Sequence, residues 1–145
     1  MKYAFHKIMV ATDGSEPSIR AAVMAIELAH NFGAELLAVH VVDEELLREF
    51  CRSLGKDEKQ AREALTADAE KHLHEIRNLA KNEVKTTTVV EYGTPHEALL
   101  RVAQREKVNL IVMGKVGRRG PRRVLTGSVT QRVIDLAEIP VLVVK

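Results

Sequence analysis

Short, nearly continuous aliphatic runs alternate along the chain with stretches in which apolar residues return every three or four positions. The first pattern suits a strand buried on both faces, the second an amphipathic helix. Lys7 to Thr12 reads as a strand, and Asp13-Gly14-Ser15-Glu16-Pro17-Ser18 supplies the turn and cap residues that open a helix. Ala21, Ala25, Leu28 and Phe32 form that helix's apolar face. A strand from Glu35 to Val42 is followed by a stretch with no assigned element. A long helix then runs from about Lys59 to Asn82, with Leu65, Ala69, Leu73, Ile76 and Ala80 on one side. The β-branched run Thr86 to Glu91 ends at Gly93-Thr94-Pro95, where Thr94 can cap and Pro95 can occupy the first turn of a helix carrying Ala98, Leu99, Val102 and Ala103. Val108 to Met113 is a strand ending at Gly114, Ser128 to Ala137 a helix, and Val141 to Val144 a fifth strand. Strict alternation without a linker predicts an α/β fold: one domain over residues 1–145, a parallel sheet, and helices on both faces.

The segment joining the last two strands carries the clearest chemistry. Its glycines fall as G-x2-G-x9-G-S, from Gly114 and Gly117 to Gly127 and Ser128. A loop of this kind delivers backbone N–H groups and a helix N-terminus to one point, which suits phosphate. Gly114 and Gly117 would let the backbone turn and approach a ligand, and Gly127 would do the same before Ser128. Ser128 can cap the helix, or turn its hydroxyl to a phosphate oxygen alongside the N–H groups of Ser128 and Val129. A surface turn with a simple cap explains the same residues, and the loop alone leaves both readings open.

Asp13 stands at a strand's carboxyl end, the edge where open parallel sheets bind ligands at a reversal of strand order. It can accept from a ribose hydroxyl or reach a phosphate-bound cation through water, or serve a plain Asx turn.

Composition narrows the classes. A chain of 145 residues with 46% hydrophobic but only 3% aromatic content has material for an aliphatic core and few platforms for stacking bases. The net charge of +2 is small, but Lys115, Arg118, Arg119, Arg122 and Arg123 crowd into the glycine loop. They fit a solvated loop surface, charge compensation of phosphate led by Arg118, or polyanion binding. With no basic face elsewhere, nucleic acid ranks last. Cys51 is a lone cysteine, no run approaches the length of a membrane span, and Met1 to His6 leads into a core strand without the pattern of a signal peptide. The expectation is a cytoplasmic protein with no membrane insertion. The six histidines show no ligand spacing, His72 and His74 face different ways on one helix, and His40 reads as a buried, hydrogen-bonded residue of a central strand. A Walker A sequence, a Rossmann G-x-G-x-x-G and a nucleophile elbow are all absent.

The chain resembles the universal stress protein (UspA-like) family. The resemblance rests on Val10-Ala11-Thr12-Asp13-Gly14-Ser15, Ala38-Val39-His40-Val41-Val42, Gly93-Thr94-Pro95, the glycine loop, and the ending Ala137-Glu138-Ile139-Pro140-Val141-Leu142-Val143-Val144. The full glycine spacing is the mark of the family's ATP-binding branch. The resemblance implies an open, doubly wound, five-stranded sheet of order 3-2-1-4-5, Rossmann-like and akin to the adenine nucleotide alpha hydrolases. It implies that Asp13 meets the ribose of ATP and that the backbone of Val41 reads the adenine edge. Gly114, Gly117, Arg118, Gly127, Ser128 and Val129 would surround the phosphates, with Ala11, Thr12 and Met113 lining the pocket and a divalent cation, Mg or Mn, accompanying the ligand. The function implied is a nucleotide-dependent stress-response or signalling module with slow or partner-dependent hydrolysis. A true ATP hydrolase or transferase, for which Asp13 is the one candidate base, and a dimeric scaffold that uses no nucleotide are the alternatives. The last strand, at the sheet's end, is expected to pair in a homodimer. Pro121 departs from relatives, and Glu44 to Ala64 falls where they vary.

Overall fold

The computed structural model of the chain describes residues 4–116 and 126–145. Ten elements follow one another as β1 (Lys7–Ala11), α1 (Glu16–Phe32), β2 (Glu35–Asp43), α2 (Glu44–Leu54), α3 (Glu58–Ala80), β3 (Thr86–Gly93), α4 (Pro95–Arg105), β4 (Leu110–Gly114), α5 (Ser128–Leu136) and β5 (Val141–Val144). The strands form one sheet of order β3-β2-β1-β4-β5. Every pairing is parallel, for example Val10 opposite Ala38 on one side and Val112 on the other.

Strand alternation divides the core into two layers. Ile8, Val10, Leu36, Ala38, Leu110 and Val112 pack into a cluster with α1 and α3, while Met9, Leu37, Val39, Ile111 and Met113 pack into one with Leu99, Val102 and Ala103 of α4 and Val133 of α5. Because successive strand residues point to opposite faces, continuous aliphatic runs are what a sheet covered on both sides requires. Each fully buried Leu or Ile contributes about 1.5–3 kcal/mol. Helix α1 buries Ala21, Ala22, Ala25 and Ala29, small residues that let it lie close on the sheet. Phe32, assigned to that face by its spacing, is half exposed and meets the edge of Phe5.

Two local expectations change. The stretch after β2 is helical: Asp43 accepts from the N–H groups of Glu45 and Leu46 to cap α2, and Gly55 closes it at φ 63°. Leu47 and Cys51 of α2 are buried against Ala61 and Leu65 of α3. Thr94 precedes α4 but makes no side-chain cap bond, so Pro95 alone marks that start. Among the described residues, no helix is long and apolar enough to cross a membrane.

Candidate functional site

Strand order reverses between β1 and β4, whose following segments leave toward opposite faces of the sheet and open a crevice at their carboxyl ends. A cavity of about 750 Å³ fills that crevice. Ala11, Thr12 and Asp13 form one wall, Val41 the floor toward β2, and Met113, Gly114, Gly127, Ser128 and Val129 the opposite wall. The remaining site expectations, Gly117 and Arg118, lie outside the described residues.

The β1–α1 turn is held by its own polar side chains. The Ser15 N–H donates to Asp13 Oδ1 at 2.9 Å, and the Gly14 N–H donates to Thr12 Oγ1 at 3.2 Å. Thr12 Oγ1 in turn shares a 3.1 Å hydrogen bond with the buried Ser18 Oγ. Gly14 sits at φ 82°, a left-handed conformation open to glycine. Asp13 is thus an Asx-turn residue and a wall of the cavity at once. Ser15 caps α1, accepting from the Ser18 N–H at 3.3 Å.

On the β4 side, the Gly127 N–H donates to the Lys115 carbonyl at 2.8 Å, and Thr130 Oγ1 donates to the Gly114 carbonyl at 2.9 Å. These bonds aim the start of α5 at the cavity. Gly127 is the cap position, at φ −65° and ψ 154°, and no side chain caps the helix. Ser128 is therefore the first helical residue, and its hydroxyl is not the cap. The first turn of α5, Ser128 to Thr130, lines the cavity with a helix's positive end, and among the described residues no side chain makes a cap bond to it, an arrangement suited to an anion. Gly114 is explained differently from its sequence reading: a Cβ there would stand 2.9 Å from the backbone and Cβ of Pro17. Its bare Cα lets α1's first turn press onto β4.

The far side of the cavity comes from residues to which the sequence assigned no role in a site. Asp43, Leu46 of α2, Leu65 and Asp68 of α3, and Pro95 and Leu99 of α4 all line it. Spacing along the chain carries no signal for these residues, because they meet only when three helices pack on the sheet. His40 also reaches the cavity and is 9% exposed. Its Nε2 shares a 3.3 Å hydrogen bond with His72 Nδ1, and the rings stack at 5.3 Å with 16° between planes. Among the described residues no three His, Cys, Asp or Glu side chains group to hold a metal ion. The cavity falls within the range of about 300–1,000 Å³ usual for small-molecule sites, and it joins an apolar floor to polar walls at two strand ends. Those features fit a nucleotide.

The family model for the universal stress proteins matches residues 4–145. The chain belongs to the universal stress protein family. Universal stress protein MJ0531 of Methanocaldococcus jannaschii is 37% identical over 143 residues, which span 97% of this chain and 82% of that protein. The solved structure of MJ0577, a universal stress protein of the same organism, superposes with a TM-score of 0.82 at 29% identity, covering 99% of this chain and 97% of the other. A universal stress protein solved in complex with cAMP superposes at 0.73 with 26% identity, covering 98% of each chain. The β3-β2-β1-β4-β5 order is the one the resemblance implied.

Proposed function

We propose that this universal stress protein binds ATP in the cavity between β1 and β4 and acts as a nucleotide-dependent stress-response or signalling module. The observation that carries the reading is the convergence of the Asp13 turn and the uncapped N-terminus of α5 on one cavity of about 750 Å³. In this reading Asp13 accepts from the ribose and the Val41 backbone meets the adenine edge. Gly114, Gly127, Ser128 and Val129, with Gly117 and Arg118, surround the phosphates, while Ala11, Thr12 and Met113 shape the pocket. A divalent cation, Mg or Mn, rides on the phosphate oxygens. Hydrolysis is slow or waits on a partner, since one oxygen of Asp13, the candidate base at the end of β1, already accepts from the Ser15 N–H in the turn. The same reading places the protein in the cytoplasm, where ATP is supplied, and pairs two copies through β5.

Gly127→Val is the decisive variant. The φ and ψ of Gly127 are open to valine, so in this reading the branched side chain obstructs phosphate without forcing the backbone at that position into a disfavoured conformation. Titration calorimetry with ATP and Mg should show at least about a tenfold loss of affinity, or about 1.4 kcal/mol. Parent-like binding by the folded variant would refute the phosphate assignment. The cAMP complex of a relative supports a second ligand reading, so cAMP belongs in the same titrations. Tighter binding of cAMP than ATP would replace ATP as the ligand. Phosphate release by the parent at about 1 per second or faster would make the protein an ATP hydrolase.

A further inference from the structure

The two histidines beside the cavity form a stack that ends on the ligand-facing turn. His40 lies on β2 at the alternation position of Leu36 and Ala38, which face the α1 and α3 layer. There it meets His72 of α3, whose side chain is 11% exposed. The His72 ring also lies against Gly14: a Cβ on Gly14 would overlap its Cε1, Nε2 and Nδ1. His72 therefore contacts both the turn and His40, and His40 itself reaches the cavity.

We propose that the His40–His72 pair holds the Asp13–Gly14 turn in its nucleotide-binding conformation, and that loading both rings with protons releases the turn and weakens binding. The inference rests on the nucleotide reading above. A hydrogen bond between two imidazoles needs one N–H and one lone pair. A neutral pair, or a pair with one extra proton, supplies both across the 3.3 Å between Nε2 and Nδ1. A second extra proton places N–H groups on both facing nitrogens and sets like charges against each other. The rings must then separate, and His72 cannot shift without disturbing the glycine packed on it.

Among the described residues, the charged groups nearest the pair are carboxylates at the cavity end. Asp68 of α3 lies 3.9 Å from His72 Nε2, while Asp13 and Asp43 line the same cavity as His40. Farther out, Glu16 of α1 pairs with Arg20 at 2.9 Å, and Lys71, His74 and Glu75 of α3 are exposed. On β3 the residue registered with His40 is Val90; Arg77 donates to Thr88, and Glu91 pairs with Arg105 of α4. His72 and His40 are positioning residues here: they act on ligand through the turn.

His72→Gln tests this, because a side-chain amide can bond His40 without titrating. ATP affinity is measured by calorimetry from about pH 8 to 5, across the histidine range, for parent and variant. Their ratio cancels protonation of ATP itself. The variant can bind more weakly than the parent at pH 8, where the ring that packs on Gly14 is missing. What is expected is that the parent-to-variant affinity ratio falls about fivefold between pH 8 and pH 5, the factor for one lost hydrogen bond. Superimposable profiles would overturn the proposal, and His40→Gln gives the same test should the first variant fold poorly. The Gly14 amide resonance, followed in ligand-free protein over the same pH range, separates the two readings. Should ATP give no heat at any pH, the nucleotide reading fails by itself. A Gly14 signal that moves with pH in the parent and stays still in His72→Gln supports control of the turn, and equal movement in both refutes it.

Discussion

Gly114 shows how one missing Cβ sets a larger arrangement. It ends β4, and α1 enters over it with Pro17 so near that any side chain would press on backbone at 2.9 Å. Backbone cannot rotate away as a flexible side chain can, so Gly114→Ala must displace the first turn of α1. Overpacking of this kind costs about 1–3 kcal/mol. Urea unfolding should show a loss in that range, and an unchanged midpoint would mean that the contact relaxes freely. The displaced turn carries Ser15, whose hydroxyl caps α1, and Ser18, which holds Thr12. On the proposed nucleotide reading, the variant should therefore weaken ATP binding as well. Gly127 differs: its backbone is in an ordinary extended conformation that other residues adopt, so its φ and ψ do not require glycine.

At the scale of elements, α2 is a part of the cavity wall that rests on a small core of its own. Its buried side chains are Leu47 and Cys51, packed on Ala61 and partly on Leu65. A 2.9 Å Glu44–Arg62 ion pair joins α2 to α3, but a pair this exposed contributes about 0–1 kcal/mol. Leu47→Ala removes most of that small core, at a cost of about 2–5 kcal/mol for a buried leucine. Hydrogen exchange should then quicken in Glu44–Leu54 while the amides of β1 and β4 keep their protection, because the main layers do not include α2. Equal quickening throughout would instead make α2 part of one cooperative unit with the sheet. Leu46 of α2 lines the cavity, so its wall should loosen in the same experiment.

For the whole molecule, the sheet ends on β5. β5 pairs with β4 and is the terminal strand of the order, and all four of its residues are only partly buried. Ile134 and Leu136 of the neighbouring α5 are exposed at 41% and 54%. An apolar strand with one open edge invites pairing, and a second copy related by a twofold axis would satisfy both edges at once. Arg20 Nε donates to the Lys145 carbonyl at 3.0 Å, anchoring the strand's end to α1 in a position to pair. Sedimentation velocity at micromolar concentration should therefore give a dimer. A single monomer boundary there would refute pairing through β5.

The elements were legible in the sequence because their causes are local. The nearly continuous aliphatic runs of doubly covered strands, the Ser15 and Pro17 start of α1, and the aliphatic face of α4 each depend on neighbours a few positions away. The crevice was legible for the same reason: Asp13 and Gly114 each follow a strand's carboxyl end. What only tertiary structure decided involves distant segments. The polar stretch after β2 becomes α2 because Leu47 and Cys51 find Ala61 and Leu65 on a second helix. His40 and His72 become a stacked pair because α3 crosses β2 at that level, and Gly114 is set against Pro17 because α1 lies over β4. Each of these contacts depends on the relative placement of whole elements, which arises when their apolar faces share one core and which no periodicity along the chain encodes.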